Sequence, residues 1–372
     1  MDDDGRTVIL LGDYNGDYYR EVSLRDGLRA QGVTVHECRY RDEPLFLGPK
    51  KLSLLPVYYL RIWRGVRRIT RESEDEIDAI LVTKFNPLIL PIAALLAWRL
   101  GATLVYDLFV SLARTVELRD YDDWKVKIVY LIEYFALRLP DLNLTETDAF
   151  SDLYTDYYNL PRKKLLGVPV GAEDTWFHPD NMEDAAEEFT VVYWGNFLPH
   201  HGLDTVIDAA ERLRDEDVCF EFYGEGPERK RIQSLVDQRG LNDVSFHGRV
   251  PWEELSVAAA SGDIALGIFA DDMRSDASIT NKVSEAVAAG TAVVTMDARG
   301  VREWFEHGED IYLVPPANGD ALAEAILTLR ENPDLRKEIG SKGRETYEQA
   351  FSIERIGATI MERLGWSTLD ED

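Results

Sequence analysis

Thr280-Asn281-Lys282 stands where a polar loop gives way to the helix-like run VSEAVAAG, and Glu285 follows Lys282 by one turn. The first backbone N–H groups of a helix have no partner within it, so with a lysine beside them they form an anion site suited to a phosphate or diphosphate. Glu285 falls on the same helical face, where a carboxylate can accept hydrogen bonds from sugar hydroxyls. The same residues also fit an ordinary capped helix with a surface Lys/Glu pair. Three glycine-bearing loops follow successive strand-like runs: Gly195-Asn196 with Pro199-His200-His201-Gly202, then Gly224-Glu225-Gly226-Pro227, then Gly248-Arg249-Val250. Glycine after a strand lets a ligand approach the backbone, although each loop taken alone is equally a plain turn. The early strand–GxGxxG–helix pattern with its downstream acid is missing, which leaves hydride transfer unsupported. His200 and His201 are adjacent and diverge on regular structure, so no metal site and no cofactor are expected.

The elements that must carry these residues alternate along the chain. TVILLG, VTVHEC, IDAILV, TLVYDL and LNLT are short apolar or β-branched runs separated by helix-like segments, and TVVYWG, VCFEFYG, VSFHG, DIALGIF, AVVTM and IYLV repeat the plan later. That alternation predicts parallel sheets covered on both faces, in two α/β units. The expected division is residues 1–177, an acidic linker at 178–189, a second unit at 190–350, and a terminal helix with acidic tail at 351–372. Ligands of such units sit at the carboxyl ends of the strands, which places the expected active site between the two.

In the first half, Gly12 and Asp13 close the first strand, and Asp107 closes TLVYDL shortly before Ser111, Arg114 and Thr115. Asp107 is the candidate to orient or deprotonate an acceptor hydroxyl; pairing with Arg114 is the structural alternative.

Composition bounds the partners. With 372 residues, 45% of them hydrophobic, the chain can build two cores, and 68 acidic against 41 basic residues leave a formal charge of −27. Such a field repels nucleic acid. The surplus of carboxylates, with 30 Arg against 11 Lys, is the composition expected of a salt-accumulating halophile. Cys38 and Cys219 have neither metal nor redox spacing and are expected to be reduced. MDDDGRT has no basic leader, and PLILPIAALLAW is shorter than the ~20 residues of a membrane span, so a cytoplasmic protein is expected.

Beyond these residues, a resemblance is specific. VVYWGNFLPHHGLDTVIDAA, FYGEGP, VSFHGRVPWEEL and DIALGIFADDMRSDASITNKVSEAVAAGTAVVTMDARGVREWF resemble, in order, the donor-side motifs of the retaining glycosyltransferases of family 4, and the acidic composition suits a member from a halophilic archaeon. KLLGVPVGAEDTWFHPD and FSIERIGATIMERL are similar to that family's pre-linker segment and terminal helix. The resemblance implies the GT-B fold, two Rossmann-like domains facing each other across a cleft, and transfer of a sugar from a nucleotide-sugar donor to a glycan or polyprenyl-phosphate-linked acceptor. It implies that Lys282 neutralises the diphosphate and Glu285 binds ribose, that Gly195 and Asn196 border the phosphates, and that Arg249 and Val250 receive the base. Asn196 and His201 stand where many members have Arg and Lys, so the clamp would combine one strong cation with a neutral and a titratable donor. Ala277 stands where many have Glu, with Asp276 beside it. Two other readings stay open: a nucleotide-sugar 2-epimerase on the same plan, and a binding protein without turnover.

One segment departs from the acidic background. Residues 49–71 contain Lys50, Lys51, Arg61, Arg64, Arg67, Arg68 and Arg71 and no acid, with Tyr58, Tyr59, Leu60 and Trp63 interleaved. It suits an anionic membrane surface on the inner face of the cell membrane, or an ordinary helix whose arginines pair with surface acids.

Overall fold

The computed structural model describes residues 5–12, 19–40, 53–73, 75–117, 122–173, 175–182 and 188–366. The chain divides into two units, Met1–Pro169 with Ile353–Asp372, and Val170–Ser352. In the first, strands β1 (Thr7–Gly12), β2 (Thr34–Arg39), β3 (Ala79–Val82), β4 (Thr103–Phe109), β5 (Leu142–Thr145) and β6 (Leu165–Gly167) form a sheet of order β2-β1-β3-β4-β5-β6. All its pairings are parallel. Its described helices are α1 (Tyr19–Ala30), α2 (Leu55–Glu72), α3 (Leu90–Leu100), α4 (Leu112–Glu117), α5 (Asp123–Ala136) and α6 (Asp148–Tyr158). β1 and β3 are buried at every position, the pattern of central strands covered on both faces.

The second unit holds β7 (Phe189–Trp194), β8 (Val218–Tyr223), β9 (Val244–Gly248), β10 (Ile264–Leu266), β11 (Val293–Met296) and β12 (Tyr312–Val314), again all parallel, in the order β12-β11-β10-β7-β8-β9. Its helices are α7 (Leu203–Arg212), α8 (Arg229–Arg239), α9 (Trp252–Ser261), α10 (Met273–Ala277), α11 (Asn281–Ala288), α12 (Gly319–Glu331) and α13 (Pro333–Ala350). Burial alternates along β8 because it lies towards the sheet's edge. The build direction reverses between β7 and β10, and in such sheets the crevice at the carboxyl ends of those two strands is where a ligand fits.

Helix α14 (Ile353–Leu364) packs along α1. An added Cβ on Gly27 would lie 2.7 Å from the Ile353 carbonyl oxygen, and one on Gly357 would lie 2.0 Å from that of Gly27. Two glycines therefore let the helix backbones touch, and Ile356, Ile360 and Met361 complete the apolar layer that α1 lays on the sheet.

The boundary before the second unit falls at 169/170, not at 177 as expected from the acidic run. Residues 170–177 belong to the second core: Ala172 and Phe177 are buried in it, Ser284 Oγ donates to the Val170 carbonyl at 2.7 Å, and Tyr347 Oη donates to that of Ala172 at 2.9 Å. Of the expected linker, 183–187 lie outside the described residues. The second unit likewise runs to Ser352, where Phe351 is fully buried.

Candidate functional site

The loops at the carboxyl ends of β7 and β10 are joined backbone to backbone, Phe269 N–H donating to the His201 carbonyl at 3.0 Å. Gly195 ends β7 at φ +150°, and a Cβ there would lie 3.2 Å from Tyr193 Oη, 3.3 Å from Lys282 Cε and 3.4 Å from His201 Cε1. Three side chains thus converge on one glycine. The next loop closes from the other side: a Cβ on Gly224 would lie 2.0 Å from the Gly195 carbonyl oxygen, and one on Gly226 would lie 1.7 Å from that of Asn196. Neither glycine can be replaced without moving backbone, which fixes the Gly195-Asn196 turn against β8's loop.

α11 begins at Asn281 without a side-chain cap from Thr280. The Thr280 hydroxyl is buried with no hydrogen-bond partner among the described residues. Lys282 lies in the first turn, 7% exposed, its ammonium 5.4 Å from the centre of the Tyr193 ring. Glu285, one turn later and 9% exposed, accepts a 2.6 Å hydrogen bond from Trp194 Nε1. Burial pushes Lys282 down to about 8, opposed in part by the Glu285 charge. Burial likewise raises Glu285, against the Trp194 hydrogen bond and Lys282. A dianionic diphosphate beside Lys282 would favour its charged form, so the site is poised to gain an anion.

His201 is buried and shares a 2.6 Å hydrogen bond between Nδ1 and Tyr193 Oη. Burial, then the Lys282 charge, drives its protonation far below the ordinary histidine range. In the ligand-free site burial therefore favours the neutral imidazole at His201, which Tyr193 holds in place. His200 is lowered to about 3 by burial, Arg274 and Lys282.

Asp276, expected near the sugar, accepts from Arg299 Nε at 2.6 Å and from the Arg299 backbone N–H at 3.1 Å. Its carboxylate is committed to the loop after β11. Arg249 is exposed and Val250 half-buried, both just past the end of β9, the outer strand beyond β8. Asn196 is exposed and Asn281 half-buried. The structure therefore gathers Lys282, Glu285, His201, Gly195, Asn196, Gly224 and Gly226, while Asp276 is held by Arg299.

In the first unit, Gly12 ends β1 against Thr83, and Asp13 lies outside the described residues. Asp107 is fully buried and accepts from Arg20 Nε at 3.2 Å and Nη2 at 3.0 Å. Arg114 instead pairs with Glu117 at 2.8 Å, so the alternative of an Asp107–Arg114 pair gives way to Asp107–Arg20. Arg20 also donates to the carbonyls of Val168 and Pro169. Lys84, past the end of β3, is pushed by burial to about 7, with Glu21 and Asp107 acting in the opposite direction. Just beyond β4, the buried Glu133 accepts from the N–H groups of Leu112 and Ala113 at 2.7 and 2.8 Å, and from Ser111 Oγ at 3.0 Å. It acts as the cap of α4.

Sequence reasoning missed Trp194 and Tyr193, although their signal is legible. They precede Gly195, and alternation along a strand sends them to opposite faces, one towards Glu285 and the other towards His201. It also missed Arg20 and Lys84, which no motif marks.

Two parallel-sheet Rossmann-like units, the second with an anion-ready helix start at its switch point, define the fold class of the GT-B glycosyltransferases. Residues 174–346 match the family described as glycosyl transferases group 1. The lipopolysaccharide core biosynthesis glycosyltransferase LpsD of Rhizobium meliloti is 29% identical over 177 residues, 47% of this chain and 49% of that protein. The putative colanic acid biosynthesis glycosyltransferase WcaL of Escherichia coli is 26% identical over 244 residues, 63% of this chain and 60% of that one. The chain thus spans between about half and three fifths of the length of these curated relatives. Among solved structures, Anabaena HepE in complex with UDP superposes with a TM-score of 0.69 at 18% identity, covering 96% of this chain and 99% of that one.

Proposed function

We propose that this chain moves a sugar from a nucleotide-diphosphate sugar to a hydroxyl acceptor, a glycan or polyprenyl-phosphate-linked glycan, with retention of configuration. The observation that carries this reading is the buried Lys282–Glu285 pair at the uncapped start of α11, beside a turn locked by Gly195, Gly224 and Gly226. Lys282 and the first N–H groups of α11 take up the charge that develops on the departing diphosphate. Glu285, aimed by Trp194, accepts from the ribose hydroxyls. Asn196 offers a neutral donor to the phosphates, and the backbone at Arg249 and Val250 receives the base. The acceptor oxygen bonds to the anomeric carbon on the face that the phosphate leaves, and the phosphate oxygen takes the acceptor proton. Asp107, buried against Arg20, positions the end of β4 instead of serving as the base.

A uridine donor is favoured by likeness, since HepE structures hold UDP and UDP-glucose. The acidic composition is read as adaptation to molar salt, and the basic segment at 50–71, described from Ser53 on, as a contact with the inner face of the membrane. The lysine and helix amides supply the positive field, so turnover is expected without an obligatory divalent ion. A screen of labelled nucleotide sugars with native lipid extract in molar KCl, with and without chelator, tests the reading. Donor-dependent labelling of an acceptor supports it; donor binding with no labelled product would instead favour a binding protein, for which Asn196 and Ala277 speak.

A further inference from the structure

The crossovers from β2 to β3, β4 and β5 all step in one direction across the sheet. Right-handed connections therefore put α2, α3 and α5 in one layer, opposite α1 and α14. Tyr59 Oη ties α2 to the turn before α3 through a 2.7 Å bond to the Leu88 carbonyl, and α5 packs against that same turn. Each helix buries one stripe: Tyr58, Ile62, Val66 and Ile69 on α2, Ala93, Leu96 and Ala97 on α3, and Val129, Glu133 and Ala136 on α5.

Their outward sides are apolar as well. On α5, Trp124, Ile128, Leu131 and Phe135 recur at helical spacing and are 61%, 47%, 51% and 66% exposed. On α3, Leu95 and Trp98 are exposed, Trp98 to 80%. On α2, Val57, Leu60 and Trp63 are exposed. Every large hydrophobic that the first unit exposes among its described residues lies on these three helices or on a flanking residue, Leu54 or Leu139. Scattered exposure needs no cause, but a second apolar stripe on a helix already anchored by its first does.

Cations accompany it. Arg64, Arg67, Arg68 and Arg71, with Trp63 and Glu72, line a shallow depression of about 420 Å³, and none of these four arginines has an ion pair among the described residues. Many guanidinium groups elsewhere are matched, as in Arg231–Asp204, Arg239–Asp208 and Arg299–Asp276. In a chain of formal charge −27, four neighbouring arginines with only Glu72 beside them in the depression suit an anion from outside. The exposed acids of these helices lie at their ends: Glu72 closes α2, and Asp123 opens α5 beside Asp122, which pairs with Lys125.

We propose that α2, α3 and α5 form one docking face for an anionic lipid bilayer, with α5 and α3 inserting apolar side chains and α2 binding headgroup phosphates. This deepens the membrane reading of residues 50–71 above by moving the insertion onto helices outside that segment. Indole and phenyl rings suit the headgroup boundary, and guanidinium groups suit phosphates. No described helix is long and apolar enough to cross a membrane, so this is contact from one side. A second copy of the chain fits less well, because pairing this face with itself brings the same unpaired arginines together. In molar salt, where the screening length is roughly 3 Å, the apolar residues carry retention; at low salt the arginines contribute more.

The test is sedimentation with vesicles of phosphatidylglycerol or of phosphatidylcholine, at 0.15 M and 2 M KCl. Wild type should pellet with phosphatidylglycerol in both salts. Replacing Trp124, Leu131 and Phe135 by Ser should lower the bound-to-free ratio by roughly 10-fold or more in both, although residues 50–71 are untouched. Phe135→Ser alone should act in the same direction. Replacing Arg64, Arg67 and Arg68 by Gln should weaken binding chiefly at 0.15 M. These are surface positions, so melting temperatures should hold, and calorimetric binding of UDP-glucose should match wild type in every variant. Absence of pelleting by wild type, or equal pelleting of the Ser variant, overturns the proposal. So does a wild-type dimer in analytical ultracentrifugation that the Ser variant dissolves while neither binds vesicles. Loss of UDP-glucose binding in wild type with pelleting intact would sink the donor reading and leave the docking face standing.

Discussion

Lys282 provides the sharpest test, because its burial makes its charge pH-dependent in an accessible range. Burial holds the ammonium at about 8 in the free site, below the ordinary lysine value of 10.5. A lysine is cationic when protonated, so a lowered value means that charge is present below pH 8 and lost above it. By the titration relation, about nine tenths of the sites are charged at pH 7 and about one tenth at pH 9. The diphosphate of a nucleotide sugar does not titrate in that window, and the two nearby histidines are already neutral. Donor affinity in wild type should therefore be flat up to about pH 7 and fall by roughly 10-fold from pH 7 to 9. Lys282→Ala should abolish the slope and lower turnover by roughly 10-fold to 1000-fold. Lys282→Arg, charged throughout, should keep affinity level to pH 9.5 wherever its longer side chain is accommodated. Calorimetric titration of UDP-glucose across pH 6.5–9.5 at fixed ionic strength measures all three. A slope that persists in Lys282→Ala, or wild-type affinity that stays level through pH 9.5, would refute the assignment of Lys282 to the diphosphate.

Trp194→Phe removes the donor that aims Glu285 and should weaken nucleotide-sugar binding by about 1.5–3 kcal/mol, read in the same calorimeter; an unchanged constant would detach Glu285 from the donor. Gly226→Ala forces a methyl to within 1.7 Å of the Asn196 carbonyl oxygen and should cost about 1–3 kcal/mol or more in a denaturant melt, with donor binding impaired in the folded fraction. Melting temperature should rise between 0.1 M and 2 M KCl as salt screens the formal charge of −27; equal values would remove the halophilic reading.

The strands were legible because parallel sheets demand short apolar runs between helices, and the loop–helix start at Lys282 was legible because its residues are contiguous. Partners far apart in sequence were not. Trp194 meets Glu285, and Arg20 meets Asp107, only once strands are set side by side, whereas Arg114 was a tempting local partner for Asp107. The unit boundary was drawn at the acidic run because composition marks solvent exposure, while Val170, Ala172 and Phe177 carry no sign of which core they join. Composition alone does not say which side of the helix KVKIVYLIEYF is buried. Only packing separates Val129 and Ala136, which face inward, from Ile128, Leu131 and Phe135, which do not.

The close crossing of α1 by α14 has a consequence for how the chain is made. Residues 170–352 are continuous and can close on their own contacts as soon as they have been synthesised. The first unit cannot: its α1 layer waits for Ile356, Ile360 and Met361, which arrive only after the entire second unit has been translated. Until then part of that apolar layer is open to chaperones and to other nascent chains. Terminating synthesis just short of Ile353 should therefore yield a well-folded second unit attached to an aggregation-prone first one.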